Sequence, residues 1–244
     1  MKKNALFGTL ALVAGSLIAA DSGPKDDVRA AAGKLAANSN YSWKTTVETA
    51  GGGGGGGGRF RPGPTEGKTE KDGFTFLSMT RGDNTMEAVL KGGKGALKTP
   101  DGWKSLAEAT EGGDGQPNPT RFIGRMLQNF KTPAAQAEDL AAKAKELKKS
   151  DDAYAGELTE EGAKELLTFG PRPGGGNAPT PGNAKGSVKF WVKDGVLAKY
   201  EFKVQGTINF NGNEVDIDRT TTVEIKDVGS TKVDVPEEAK KKVS

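Results

Sequence analysis

Apolar and polar residues alternate along the C-terminal third of the chain. Alanine, tyrosine, phenylalanine and valine occupy every second position of Ala198–Gln205, with charged or polar residues between them. This period of two is typical of a β-strand with one buried and one solvated face. Asp194-Gly195 and Asn211-Gly212, dipeptides that favour tight hairpin turns, separate this segment from its neighbours. The pattern predicts successive antiparallel strands from Lys185 to Val235.

Helical spacing of apolar residues predicts four helices before these strands. They cover Pro24–Asn38, Pro119–Phe130, Pro133–Lys149 and Glu160–Phe169. Thr159 precedes the last of them and is a suitable N-cap, because its hydroxyl can accept from a free backbone N–H.

Shorter alternating segments lie between the first and second helices. Tyr41–Thr49 places Trp43, Thr45 and Val47 on one face of a strand, and Lys68–Lys104 shows repeated turn dipeptides typical of a meander. The order helix, strands, helices, strands indicates an α+β fold. We expect a curved antiparallel sheet, an incomplete barrel, whose apolar face is covered by helices.

The N-terminus and two glycine-rich stretches set the predicted domain organisation. Residues 1–20 combine a basic start, an apolar run and a small-residue end, which is typical of a secretory signal peptide. A single domain is predicted over 21–236, with flexible loops at 51–67 and 170–183 and a charged tail at 237–244. No other segment has the apolar length of a membrane helix, so we expect a mature chain without an integral membrane segment, periplasmic or secreted.

Composition excludes several classes of chemistry. The chain has no cysteine and no histidine, so thiolate nucleophiles, disulfides, histidine triads and histidine-bound zinc are excluded. The formal net charge is +3, and Lys2 and Lys3 lie in the predicted signal peptide. So small a net positive charge gives little attraction to nucleic acid, and we expect no nucleic-acid partner. The sequence therefore predicts a protein that is not an enzyme and has no metal site or cofactor; a hydrolase that uses aspartate and glutamate alone is the enzymatic alternative.

Three stretches of the chain carry a resemblance to a known family. They are Tyr154–Thr159, Val188–Tyr200 with its Asp-Gly turn, and Thr220–Pro236. Together they resemble the LolA-like superfamily, which includes the periplasmic lipoprotein carrier LolA and the LppX/LprG group of lipid-binding lipoproteins. The resemblance implies a LolA-like incomplete barrel closed by helices, with an apolar cavity for acyl chains and a lipid or a lipoprotein as partner.

Nine large apolar residues are candidates for lining such a cavity, because they lie on the predicted inner faces of strands and helices. The same residue types also fill solid cores, so simple packing is the alternative. The candidates are Phe74, Phe76, Met86, Phe122, Met126, Phe190, Tyr200, Phe202 and Phe210.

Other conspicuous residues have structural explanations. Trp191 should lie on the outer face as half of a cross-strand aromatic pair, and Trp103 should lie at the barrel mouth or anchor a turn. Arg81-Gly82-Asp83 spells an adhesion tripeptide but is first a turn signal. Glu214, Asp216 and Asp218 share one strand face without the spacing of a calcium loop.

Two hypotheses of function follow. The first is an exported carrier or binding protein that holds a lipid or a lipid-modified partner in an apolar cavity. The second is a solidly packed periplasmic protein-interaction module without a ligand. They differ in whether the helices and the sheet interlock or leave a hollow.

Overall fold

A computed structural model describes residues 23–50, 63–111, 119–168, 180–210 and 213–244. The predicted signal peptide, the run Gly51–Gly58 and the Asn211-Gly212 turn lie outside the described residues.

Six helices and eleven strands are formed by the described residues. The helices are α1 (Pro24–Ala37), α2 (Leu106–Thr110), α3 (Pro119–Gln128), α4 (Pro133–Lys143), α5 (Glu160–Leu167) and α6 (Glu237–Val243). The strands are β1 (Asn40–Thr49), β2 (Thr65–Glu70), β3 (Thr75–Arg81), β4 (Asn84–Lys91), β5 (Lys94–Thr99), β6 (Gly102–Ser105), β7 (Lys148–Ser150), β8 (Ala153–Glu157), β9 (Thr180–Lys193), β10 (Val196–Phe210) and β11 (Asn213–Lys226).

All the strands belong to one antiparallel sheet. Their order is β6-β5-β4-β3-β2-β1-β11-β10-β9-β8-β7, so the N-terminal meander and the C-terminal hairpins join where β1 pairs with β11. Strands β6 and β7 lie at opposite edges, and the sheet is not closed into a barrel. The predicted α+β class, an open antiparallel sheet covered by helices, is confirmed.

Local sequence signals explain most element boundaries. Thr159 caps α5, because its hydroxyl accepts a hydrogen bond from the Gly162 N–H at 3.0 Å. Asp194 and Gly195 have φ of 52° and 72°, the left-handed conformation required by a two-residue hairpin turn. Both features agree with the sequence predictions.

Four boundaries differ from the predictions by three residues or more. The strands predicted as far as Val235 end at Lys226 with β11. Helix α4 ends at Lys143 rather than Lys149, because Lys148–Ser150 pairs with β8 as an edge strand. Strand β2 begins at Thr65 and β9 at Thr180, so residues 65–67 and 180–183 of the two predicted loops lie in strands. Backbone pairing with β1 and with β10 extends the sheet into both segments.

The main cluster is the apolar core between the inner face of the sheet and helices α1 to α5. Leu35 of α1 and Leu140 of α4 are fully buried there. Phe190 and Tyr200 are also fully buried, and their ring centroids are 6.4 Å apart across β9 and β10. The predicted burial of alternate residues in Ala198–Gln205 is therefore confirmed for Tyr200, Phe202 and Val204.

A second cluster lies on the outer face of the meander. It consists of Val89, Ala96, Trp103, Ala239 and Val243, with Phe74, Phe76 and Val235 packed against it. The predicted charged tail is therefore a helix, α6, with two buried residues. Its apolar residues are spaced four apart and face the sheet, while its lysines remain on the solvated side.

Candidate functional site

A cavity of about 550 Å³ lies between the inner face of the sheet and helices α3, α4 and α5. Strands β1, β3, β10 and β11 contribute its floor, and α3 with the segment that follows it contributes much of the opposite wall. The helices and the sheet therefore leave a hollow in this part of the molecule.

The walls of the cavity are mainly apolar. All three methionines of the described residues line it, together with aromatic and aliphatic side chains from both layers. The apolar lining consists of Trp43, Val47, Leu77, Met79, Met86, Phe122, Ile123, Met126, Leu127, Phe130, Leu140, Leu166 and Phe202.

Trp43 lies at one end of the cavity floor and is held on three sides. Its ring stacks on Phe130 with centroids 6.0 Å apart, and its Nε1 donates to the Thr69 hydroxyl at 3.3 Å. A Cβ atom at Gly67 would come within 2.1 Å of the indole ring. Gly67 therefore lets the tryptophan lie flat across strand β2.

A hydrogen bond from the sheet fixes helix α4 over the cavity. The Tyr200 hydroxyl donates to Gln136 Oε1 at 2.6 Å. Burial raises the pKa of Tyr200 well above its ordinary value, so the phenol stays protonated and remains a donor.

Charged side chains form a paired group at the helical side of the cavity. Lys143 Nζ lies 2.7 Å from Asp139 Oδ1 and 2.9 Å from Glu165 Oε2, and Lys131 Nζ lies 3.1 Å from Asp139 Oδ2. Burial acts to raise the pKa of Asp139, but hydrogen bonds from Lys143 and Lys131 outweigh it and lower that pKa. The lowered pKa keeps Asp139 ionised, and both acids are paired with lysines.

Arg219 lies on the inner face of β11 and lines the same cavity. Its Nη2 donates to the backbone carbonyl of Leu166, in the last turn of α5, at 2.9 Å. Burial lowers the pKa of Arg219, since charge is costly away from water. Within the described residues, no carboxylate forms an ion pair with this guanidinium.

The structure brings together five of the nine predicted cavity residues. Met86, Phe122, Met126, Tyr200 and Phe202 line the cavity.

The other four predicted residues do not line it. Phe190 is packed in the main cluster. Phe74 and Phe76 were expected on the inner face, but they pack against the second cluster on the opposite face. The prediction is wrong for this pair because Phe76 lies one position from Leu77, and successive side chains of a strand face opposite ways. The Phe210 side chain lies outside the described part.

The two tryptophans and the Arg-Gly-Asp tripeptide singled out in the sequence lie away from the cavity walls or at a turn. Trp191 lies between Lys189 and Lys199, whose ammonium groups are 4.8 and 4.7 Å from the ring centroid, rather than beside another aromatic ring. Trp103 is buried under α6 and not at the cavity. Arg81-Gly82-Asp83 contains the β3–β4 turn.

The acidic residues of β11 also have a structural position. Asp218 forms an ion pair with Lys203 at 3.1 Å. Across the described ranges, no group of three or more acidic residues could hold a metal ion.

Sequence analysis missed the two polar features of the cavity, Arg219 and the charged group on α4 and α5. One signal was available for Arg219: it occupies the same strand face as Thr221, Val223 and Ile225, where an arginine is unexpected. The charged group depends on where α4 and α5 meet, which residue spacing does not specify.

In the part of the chain that the structure describes, no helix has both the length and the apolar character needed to cross a membrane.

No protein-family model matches the sequence, and no curated protein matches it. The structure is similar to that of the lipoprotein LppX from Mycobacterium tuberculosis, with a TM-score of 0.46 and 11% identity over 87% of this chain and 98% of that chain. It is also similar to LprF from Mycobacterium bovis, with a TM-score of 0.44 and 10% identity over 88% of this chain and 97% of that chain. Both likenesses concern the fold alone.

Proposed function

We propose that this chain is an exported, non-enzymatic binding protein that holds a lipid or a lipid-modified partner in the cavity. The observation that carries the proposal is a cavity of about 550 Å³ with mainly apolar walls between the sheet and its helical cover. This volume falls in the range of about 300–1,000 Å³ that is usual for small-molecule sites.

The apolar walls of the cavity support an occupant. The cavity is partly open to solvent, so without a ligand its apolar walls face water. Water is a poor occupant beside apolar walls, whereas each methylene group of a lipid chain transferred there gains about 0.8 kcal/mol.

The residue types of the walls suit a ligand of variable shape. Met79, Met86 and Met126 are unbranched and flexible, and methionine is common on surfaces that adapt to several ligands. Phe122, on α3, lines the cavity and is 41% exposed, so α3 combines contact with the cavity and contact with solvent. Movement of α3 would provide the route for entry and release.

Export is proposed from the N-terminal pattern of a basic start, an apolar run and small residues. A binding protein of this kind would carry or store its ligand in the cell envelope, and the proposal includes no chemical reaction.

Native mass spectrometry of protein purified from its own cell envelope tests the proposal directly. We expect added mass that corresponds to a lipid, and we expect an acyl-chain fluorescent probe to bind to delipidated protein. The variant Met79→Trp/Met86→Trp should weaken binding of the probe, because these residues face each other across β3 and β4 and larger rings would fill the cavity.

Ser78→Trp is the matched control, because Ser78 is the neighbour of Met79 on the opposite face of the same strand. It should bind the probe as the unmodified chain does. Absence of copurified lipid together with absence of probe binding would overturn the proposal and favour a protein-interaction module.

A further inference from the structure

Arg219 is the polar feature of the cavity that the proposed function does not use. It lies on a strand face otherwise directed toward the core, where Thr221 and Val223 follow it at alternate positions and are buried. Arg219 itself is half-buried, so its guanidinium loses part of its contact with water, which is costly for a cation. Such a cost is normally offset by a carboxylate partner.

No such partner is found for it among the described residues. A guanidinium has five N–H donors, and Leu166 O accepts from one of its nitrogens. The two acids at the cavity, Asp139 and Glu165, are paired with lysines. Thr221, two residues along the same strand face, is buried and lines the cavity beside Arg219.

The charges of the residues that line the cavity also favour an anionic ligand. Among the described lining residues, Lys131 and Lys143 are paired with the acids Asp139 and Glu165, which leaves the charge of Arg219 without an acidic partner in that set. The cavity therefore favours a ligand that brings negative charge.

The register of the sheet gives the cavity two different ends. Thr49 pairs with Arg219 and Trp43 pairs with Ile225 on the same two strands. Six residues of strand separate these positions, which corresponds to about 20 Å. The Trp43 end is apolar, where the indole stacks on Phe130, and the Arg219 end is cationic.

We propose that Arg219 binds the anionic group, a carboxylate or a phosphate, of an amphiphile whose hydrocarbon chain extends over the cavity floor toward Trp43. The planar guanidinium suits both groups, since it can donate two parallel hydrogen bonds to their oxygens. This inference rests on the proposed function and narrows its ligand to anionic amphiphiles.

The test compares a fluorescent fatty acid, cis-parinaric acid, with its uncharged methyl ester at pH 8, where the acid is ionised. The two probes share one chain and differ in the charge of the head group. We expect the unmodified, delipidated chain to bind the acid about 10-fold to 100-fold more tightly than the ester, as a hydrogen-bonded charge pair supplies.

Two substitutions assign this preference to Arg219. Arg219→Met keeps much of the side-chain length, removes the charge, and should bind acid and ester equally. Arg219→Lys keeps the charge but not the two parallel hydrogen bonds, so it should keep a reduced preference for the acid, which also guards against a variant that fails to fold. Far-UV circular dichroism checks that each variant is folded.

A competition arm separates a lipid head group from a free anion. Acetate and inorganic phosphate should not displace the acid at concentrations far above that of the probe, because they lack the chain. Displacement of the acid by acetate or by inorganic phosphate would overturn the proposal of an amphiphilic ligand and indicate a site for free anions.

The remaining outcomes separate this inference from the proposed function. Equal binding of acid and ester to the unmodified chain, or a preference that persists in Arg219→Met, would overturn the role of Arg219 but leave the cavity function standing. Failure of both probes to bind would overturn both.

Discussion

The two faces of the meander carry the same kinds of apolar residues, yet they are covered in different ways. On the outer face, Val89, Ala96 and Trp103 are buried under α6. On the inner face of the meander, Met79 of β3 and Met86 of β4 line a hollow beneath α3. An alternating pattern therefore specifies which residues avoid water and leaves open whether their neighbours fill the space.

The difference lies in how closely each covering helix is held. Helix α6 places Ala239 and Val243 against the sheet, and Lys242 and Lys94 tie its two sides through Glu108 and the Ser244 carbonyl. On the inner face, α3 is less closely held, since Phe122 of this helix lines the cavity and is 41% exposed.

The largest expected effect comes from removing the tryptophan of the second cluster. Trp103→Ala should lower the free energy of unfolding by about 3–5 kcal/mol, because Trp103 is buried under α6. Urea unfolding measures the loss. Trp191→Ala is the control: its ring is partly exposed between two lysines, and its loss should cost about 1 kcal/mol. Equal losses would contradict the close packing of α6.

The second test compares truncation of a large side chain in the packed core with truncation of one beside the cavity. Leu97→Ala should cost about 2–5 kcal/mol, because Leu97 is fully buried away from the cavity. Met126→Ala should cost less than about 2 kcal/mol, because Met126 is only partly buried and borders the hollow. Urea unfolding measures the loss of unfolding free energy in both variants. A larger loss for Met126→Ala than for Leu97→Ala would contradict the prediction.

The third test adds volume instead of removing it. Ala96→Leu should destabilise the chain by about 1–3 kcal/mol, because Ala96 is fully buried in the second cluster and the added atoms have no space. Met79→Phe should cost about 1 kcal/mol or less, because its side chain can extend into the cavity. Thermal unfolding measures the stability of both variants. An Ala96→Leu variant as stable as the unmodified chain would indicate loose packing in the second cluster.

The smallest expected effect is a dependence of α6 docking on pH. The hydrogen bond from Lys242, with further bonds at Ser105, lowers the pKa of Glu108 from about 4.5 to about 2. The unfolded state therefore binds more protons between these values, and the stabilisation is present above about pH 4.5 and lost as pH falls toward about 2.

Hydrogen exchange of the α6 amides measures this effect. Glu108→Gln should reduce their protection at pH 6, and the difference from the unmodified chain should shrink as pH falls through the same window. Glu87→Gln is the control, because its ion pair with Lys98 does not involve α6. A difference that stays constant with pH would contradict a role for the Glu108 charge.

Much of the fold could be predicted from the sequence because its signals are local. Alternation in Ala198–Gln205, the Asp194-Gly195 turn and the Thr159 cap depend on neighbouring residues, and each agrees with the structure. Phe74 and Phe76 were assigned to the wrong face, because the register of a short strand is set by its partners.

The sequence alone determined the class of the fold and the alternation of buried positions, since these follow from backbone geometry and local spacing. Tertiary structure decided what lies behind each apolar face. Whether Met79 meets another side chain or a hollow, whether α6 docks, and whether Arg219 finds a carboxylate all depend on distances between elements far apart in the chain. Those distances result from the packing of all the layers together, and no single segment encodes them.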